Sequence, residues 1–253
     1  MKGCKKVLLA TGMVILMAAS SFAQEEASGI NFQILGQGAL GYAYNKDMAD
    51  LAKAIGDLDA AAANTYAAGL GEIGGWGAKD KSIPAAFGAD IEPRLFFGNF
   101  GLGVSIGYHF AEAKTEVVSS RWTDEATVKM QLFVLPIAGT FYYKTTLSDT
   151  SSLVFGAGVG YYTAKLKHKT DGKGVFGNIS ETFKADGIGY HAKIEYDYIM
   201  DGNIVLFGGI LGRYAEIDEY EASDGTIVKN IDSSNLSAGL TGVSFYIGAG
   251  LSL

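Results

Sequence analysis

Residues 188–198 read Ile-Gly-Tyr-His-Ala-Lys-Ile-Glu-Tyr-Asp-Tyr. Ile188, Tyr190, Ala192, Ile194, Tyr196 and Tyr198 fall on one parity, and Gly189, His191, Lys193, Glu195 and Asp197 on the other. A period of two is the mark of a strand whose two faces meet different surroundings. In a soluble sandwich the charged face would be wet and the apolar face would be the core. In a membrane barrel the assignment inverts, with apolar residues toward lipid and small or charged residues toward the lumen. Alternation alone leaves both open.

The same pattern recurs. Phe100, Leu102, Val104, Ile106, Tyr108 and Phe110 alternate with Gly101, Gly103, Ser105, Gly107 and His109. Leu153, Phe155, Ala157, Val159 and Tyr161 alternate with Val154, Gly156, Gly158, Gly160 and Tyr162, and Val243, Phe245, Ile247, Ala249, Leu251 and Leu253 close the chain in the same way. These repeats account for much of an unusual composition: 35 of 253 residues are glycine, roughly twice the usual share, whereas only 3 are proline. No Gly-X-Y period exists, so collagen is excluded, and a hydrophobic content of 48% is too high for a disordered chain. The net charge of −7 argues against nucleic acid as a partner.

Segment lengths and connections favour the barrel. Strands are expected near 31–44, 83–97, 99–111, 127–144, 152–166, 186–199, 203–217 and 236–253, mostly longer than the strands of soluble sheets. The connections alternate long and short: 98, 147–151 and 200–202 are short, and 45–82, 112–126, 167–185 and 218–235 are long. An even-stranded outer-membrane barrel has short periplasmic turns and longer extracellular loops. Three local features complicate the pattern. Pro136 would interrupt a ladder, so a bulge or phase change is expected between Leu132 and Ala138. Arg213 and Glu216 cannot both point inward without a bulge. Met48, Leu51, Ala52, Ile55 and Leu58 have helical spacing, which places a short helix near 47–66 in the first loop.

The N-terminus fits export. Lys2, Lys5 and Lys6 precede an apolar run from Val7 to Ala19, and Ser21-Phe22-Ala23 resembles a signal-peptidase site. The expected division is a signal peptide over 1–23 and a single barrel domain over 24–253. The only cysteine, Cys4, falls in the removed part, so disulfides would play no role.

Together the signal sequence, the eight alternating segments and the final strand resemble the small eight-stranded bacterial outer-membrane barrels of the OmpA, OmpX and OmpW type. The motifs carrying that likeness are Leu135-Pro136-Ile137-Ala138-Gly139 leading to Tyr142-Tyr143-Lys144, and Phe155-Gly156-Ala157-Gly158-Val159-Gly160-Tyr161-Tyr162. The resemblance implies a monomeric, all-β, antiparallel up-and-down transmembrane barrel in the outer membrane, without cofactor. It also implies that the C-terminal strand is read by the barrel-assembly machinery, although Leu253 stands where an aromatic residue is usual. Three roles are compatible with it: a structural or surface-interacting protein with a plugged lumen, a narrow OmpW-like conduit for small or hydrophobic solutes, or a lipid-modifying enzyme.

If apolar faces meet lipid, the lumen network comprises Asp90, Glu92, Arg94, His109, Lys129, His191, Lys193, Glu195, Asp197 and Arg213, with Gln33, Gln37 and Gln131 beside them. An eight-stranded barrel is only wide enough for side chains to fill, and unpaired buried charges are costly, so acids and bases must balance. Counted from the short turns, Arg94 should face Asp197 and Asp90 should face Lys193. Catalysis finds little support. Ser105 lies four residues from His109 along one strand, too far for a nucleophile and base, and no metal cluster or phosphate-binding loop is evident. On the outer phase, Lys165, Lys167 and Lys169 leave the expected membrane zone together. They are candidate contacts for lipopolysaccharide phosphates, or simply a solvated charge run.

Overall fold

A computed structural model describes residues 30–43, 76–80, 85–119, 125–172, 178–200, 203–215, 217–227 and 240–253, together with Asp57 and Ala60. The expected signal peptide therefore lies outside the described residues. So does the first-loop helix, except for Asp57 and Ala60, whose backbone is helical.

The described strands are β1 (Ile30–Ala43), β2 (Trp76–Asp80), β3 (Ala85–Phe97), β4 (Phe100–Ser119), β5 (Glu125–Ser148), β6 (Ser151–Gly172), β7 (Ile179–Met200), β8 (Ile204–Ala215) and β9 (Gly242–Ser252). Eight of them, all but β2, form a closed antiparallel ring in which each pairs with its sequence neighbours and β9 returns to β1. The seam is finished by Leu253, whose N–H donates to the Phe32 carbonyl at 2.7 Å. Closure removes free strand edges, which would otherwise carry unpaired N–H and C=O groups.

At one end the strands join through tight turns. Gly98 takes φ +62° between β3 and β4, a left-handed conformation that costs glycine nothing, and Asn203 takes φ +66° before β8. At the other end the two halves differ. β4 to β7 run for 20 to 24 residues, whereas β1, β3, β8 and β9 have 11 to 14. Two expected long loops, 112–126 and 167–185, are thus largely strand, because hydrogen-bonded pairing continues past the apolar zone to Val118–Glu125 and Thr170–Ile179. The unforeseen β2 pairs with the far end of β4. After β8, Glu221 bridges to Lys184 of β7, and the Thr226 N–H donates to Asp224 at 2.9 Å. That backbone hydrogen bond holds the Asp224 carboxyl below the usual carboxylate range.

The alternation sorts as expected across most of the ring. Ile188, Tyr190, Phe245 and Ile247 point outward at 63%, 63%, 66% and 76% exposure, while Arg94, Glu92 and Glu195 are at or below 1%. Such an inside-out distribution fits lipid outside and a polar interior. Aromatic side chains edge this apolar belt at both ends. Phe100 lies 6.0 Å from Phe141 and 5.5 Å from Tyr143 near the tight turns, and Phe133 lies 5.1 Å from Phe110 and 6.2 Å from Tyr108 near the other rim.

One phase expectation is corrected. β5 keeps a single alternation and an unshifted register with β6 through Pro136, so no bulge or phase change occurs between Leu132 and Ala138. The missing N–H is accommodated by a gap in the ladder: β4 and β5 pair at Ile106–Ile137 and again at His109–Val134, in the same register. A like gap follows Ile91–Ile106 opposite Pro93. β8 also alternates without a bulge, with Arg213 inward and Glu216 outside the described residues.

Candidate functional site

The lumen is built in three storeys. Nearest the tight turns, β3 contributes Glu92 and Arg94 and β7 contributes Lys193 and Glu195. Arg94 donates through both terminal nitrogens to Glu195, with Nη2 at 3.0 Å from Oε2 and Nη1 also bonded to Oε1, and Nη2 lies 3.2 Å from Glu92. Lys193 Nζ donates to Glu92 at 2.7 Å. Two bases and two acids thus pair, the condition under which burying them is tolerable, and Asp197, one inward position from Glu195, is a third buried acid beside them.

Tyr142 of β5 completes this storey. Its hydroxyl donates to Glu92, and its ring lies 4.6 Å from the Arg94 guanidinium carbon and 5.0 Å from Lys193 Nζ. The ring fits because its neighbours lack side chains. A Cβ on Gly103 would come within 2.9 Å of the Tyr142 ring and 2.8 Å of Glu92 Oε1, and one on Gly156 within 2.8 Å of the opposite ring edge. Phe96, Phe207 and Tyr246 pack around the cluster, all buried.

The middle storey is polar but less tightly paired. Asp90 accepts from Gln37 at 3.1 Å and shares a 3.0 Å contact with His109. Arg213 lies 3.3 Å from the same imidazole and over the Tyr162 ring at 5.9 Å. His191 meets Thr140 at 2.9 Å, in space left by Gly158.

Above this the interior is mainly apolar, although His168, Thr170 and Thr115 are also buried there. Ala111, Ala113, Met130, Leu132, Leu166, Ala215, Ile217, Tyr220 and Leu240 form one buried cluster, and Val117, Ala126 and Val128 continue it with Ala60 of the first loop. The composition of the strands hides much of this storey, because Ala113, Val117 and Ala126 stand where loop was expected and Val128, Met130 and Leu132 in a strand segment expected to be oppositely phased.

Nine of the ten expected lumen residues do face inward: Asp90, Glu92, Arg94, His109, His191, Lys193, Glu195, Asp197 and Arg213. Lys129 does not. It is on the outer wall, 2.9 Å from Asp171 of β6, and Gln131 is beside it on the same face, bonded to Glu112. The absent phase change at Pro136 is the cause. The expected partners are also displaced. Arg94 meets Glu195 rather than Asp197, and Lys193 meets Glu92 rather than Asp90, each one inward position away. Strands in a closed barrel tilt and stagger, so equal counts from the turns do not mean equal depth. Tyr142 and the upper apolar cluster were missed. Tyr142 was masked by Phe141 and Tyr143, although the glycines facing it on both neighbouring strands are a signal for a large inward ring.

No family model and no curated protein matches the sequence. Among solved structures, the chain is similar to a major outer membrane protein from Thermus thermophilus, with 12% identity over 88% of this chain and 99% of that one and a TM-score of 0.46. It is also similar to Ail, the attachment invasion locus protein of Yersinia pestis, at 13% identity over 89% and 99% of the two chains with a TM-score of 0.35. The outer membrane protease OmpT from Escherichia coli follows at 10% identity over 90% and 97%, with a TM-score of 0.31. These likenesses assign no activity. The fold stands on the ring closure and the inside-out wall: this is an eight-stranded transmembrane β-barrel.

Proposed function

We propose that the protein is an integral outer-membrane barrel with a closed lumen and a structural or surface-interacting role. The observation that carries this reading is the buried Arg94–Glu195 and Lys193–Glu92 cluster, which occupies the lumen beneath an apolar plug. An eight-stranded ring is just wide enough for side chains to fill, and ions would have to displace paired charges and then cross a mainly apolar layer. No catalytic step belongs to the proposal: the His109 imidazole is engaged by Asp90 and Arg213, and the Thr140 hydroxyl that His191 meets is buried in the lumen.

A conduit for small or hydrophobic solutes is the second reading. A niche lined by Ala39, Ala86, His109, Arg213, Leu240 and Ser244 favours it, but passage would require the lower charge cluster to part. Recording from purified protein in planar lipid bilayers tests the choice. The closed barrel predicts no sustained current at moderate voltage, and long-lived ohmic steps would replace it with the conduit.

A further inference from the structure

The outer wall of the four long strands carries a second charged surface. We propose that it binds the phosphate groups of lipids in the leaflet at the long-loop end. The proposal rests on the membrane reading above and extends it to six lysines: Lys114, Lys129, Lys165, Lys167, Lys169 and Lys184.

Strand register places them. Phe110 and Phe133 end the apolar belt, and the residue paired with Phe133 on β6 is Lys165, which in turn pairs with Lys184 on β7. Two residues further along, Gln131 pairs with Lys167 and Lys167 with Thr182. Two more, and Lys114, Lys129 and Lys169 stand abreast on β4, β5 and β6. All project on the outward phase. One step of two residues is about 7 Å, so the cluster begins at the aromatic edge and occupies the headgroup level.

The arrangement is unfavourable on its own. Like charges directly opposite on neighbouring strands destabilise a sheet, and here two rows contain such pairs. Lys114 is compensated by Glu112 at 2.7 Å and Lys129 by Asp171 at 2.9 Å. Among the described residues no ion pair is formed by Lys165, Lys167 or Lys184, and Lys169 shares the field of Asp171 with Lys129. A multivalent anion resolves the repulsion, and Gln131, Thr182 and Ser180 add neutral donors between the lysines. Lipid phosphate is the anion whose depth is set by the apolar belt immediately below. A soluble polyanion has no such level fixed by the belt.

The test uses the refolded full barrel in nonionic detergent, with native mass spectrometry reading retained lipid. The probes are lipopolysaccharide, phosphatidylcholine and heparin. Wild type should retain lipopolysaccharide over phosphatidylcholine, and retention should fall with added salt. The Lys165→Gln/Lys167→Gln/Lys169→Gln variant should lose about tenfold or more of that retention, and the corresponding arginine variant should keep it. Heat-modifiable migration on gels confirms separately that each variant is a folded barrel, so failure of the membrane reading is told apart from failure of the lysine site. Unchanged retention in the glutamine variant, or heparin bound more tightly than lipopolysaccharide, would overturn the proposal.

Discussion

Arg94 is the residue on which the lumen turns. It satisfies Glu195 and shares Glu92 with Lys193 at essentially zero exposure, so its removal leaves two carboxylates facing one ammonium. Breaking a buried pair from one side costs about 3–5 kcal/mol, whereas replacing both partners by apolar side chains is often neutral. Arg94→Met should therefore lower the unfolding free energy in urea by about that amount, and Arg94→Met/Glu195→Leu should recover most of it. Equal losses in the single and double variants would show that the pairing is not what the storey depends on. The glycines beside Tyr142 give a converse case. Gly156→Val would push the new side chain into a ring already flanked by Gly103 and Lys193, and overpacking of this kind costs about 1–3 kcal/mol. The same urea titration should show it, with a smaller Gly156→Val penalty when it is measured in a Tyr142→Ala background.

At the scale of the strand, two faces make different demands. Ile194 of β7 is outward within the belt at 52% exposure, and Thr182 is outward on the same strand beyond it. A cation on the lipid face costs about 2–4 kcal/mol at mid-depth and little near the interface. Ile194→Arg should destabilise the barrel in lipid by that margin and Thr182→Arg should be close to neutral, as measured by folding equilibria into vesicles. Strand parity was legible in the sequence wherever glycine or charge alternated with bulk, as in β4, β7 and β9, and nine of ten lumen residues followed from it. β5 was not legible. Its lower half alternates by size, its upper half places Lys129 and Gln131 outside and Met130 and Leu132 inside, and Pro136 between them invited a phase change that ladder gaps made unnecessary. Pair partners across the ring could not be read either, because strand tilt is a property of closure and leaves no mark on any one strand.

The whole molecule is a closed ring of strands with one wall taller than the other. Paired charge occupies its lower lumen, a looser polar storey follows, and apolar side chains cluster toward the end from which β4 to β7 project. The central claim is the inversion itself, with bulky apolar residues against lipid and charge inside. Depth-resolved fluorescence tests it directly. Both native tryptophans, Trp76 and Trp122, are first replaced by phenylalanine. In that background a single tryptophan is placed at Ile194 on the outer wall or at Phe207 in the lumen, and the protein is folded into vesicles of brominated phosphatidylcholine. The account predicts strong bromine quenching for Ile194→Trp and little for Phe207→Trp. Equal quenching at both positions, or none at either, would contradict it.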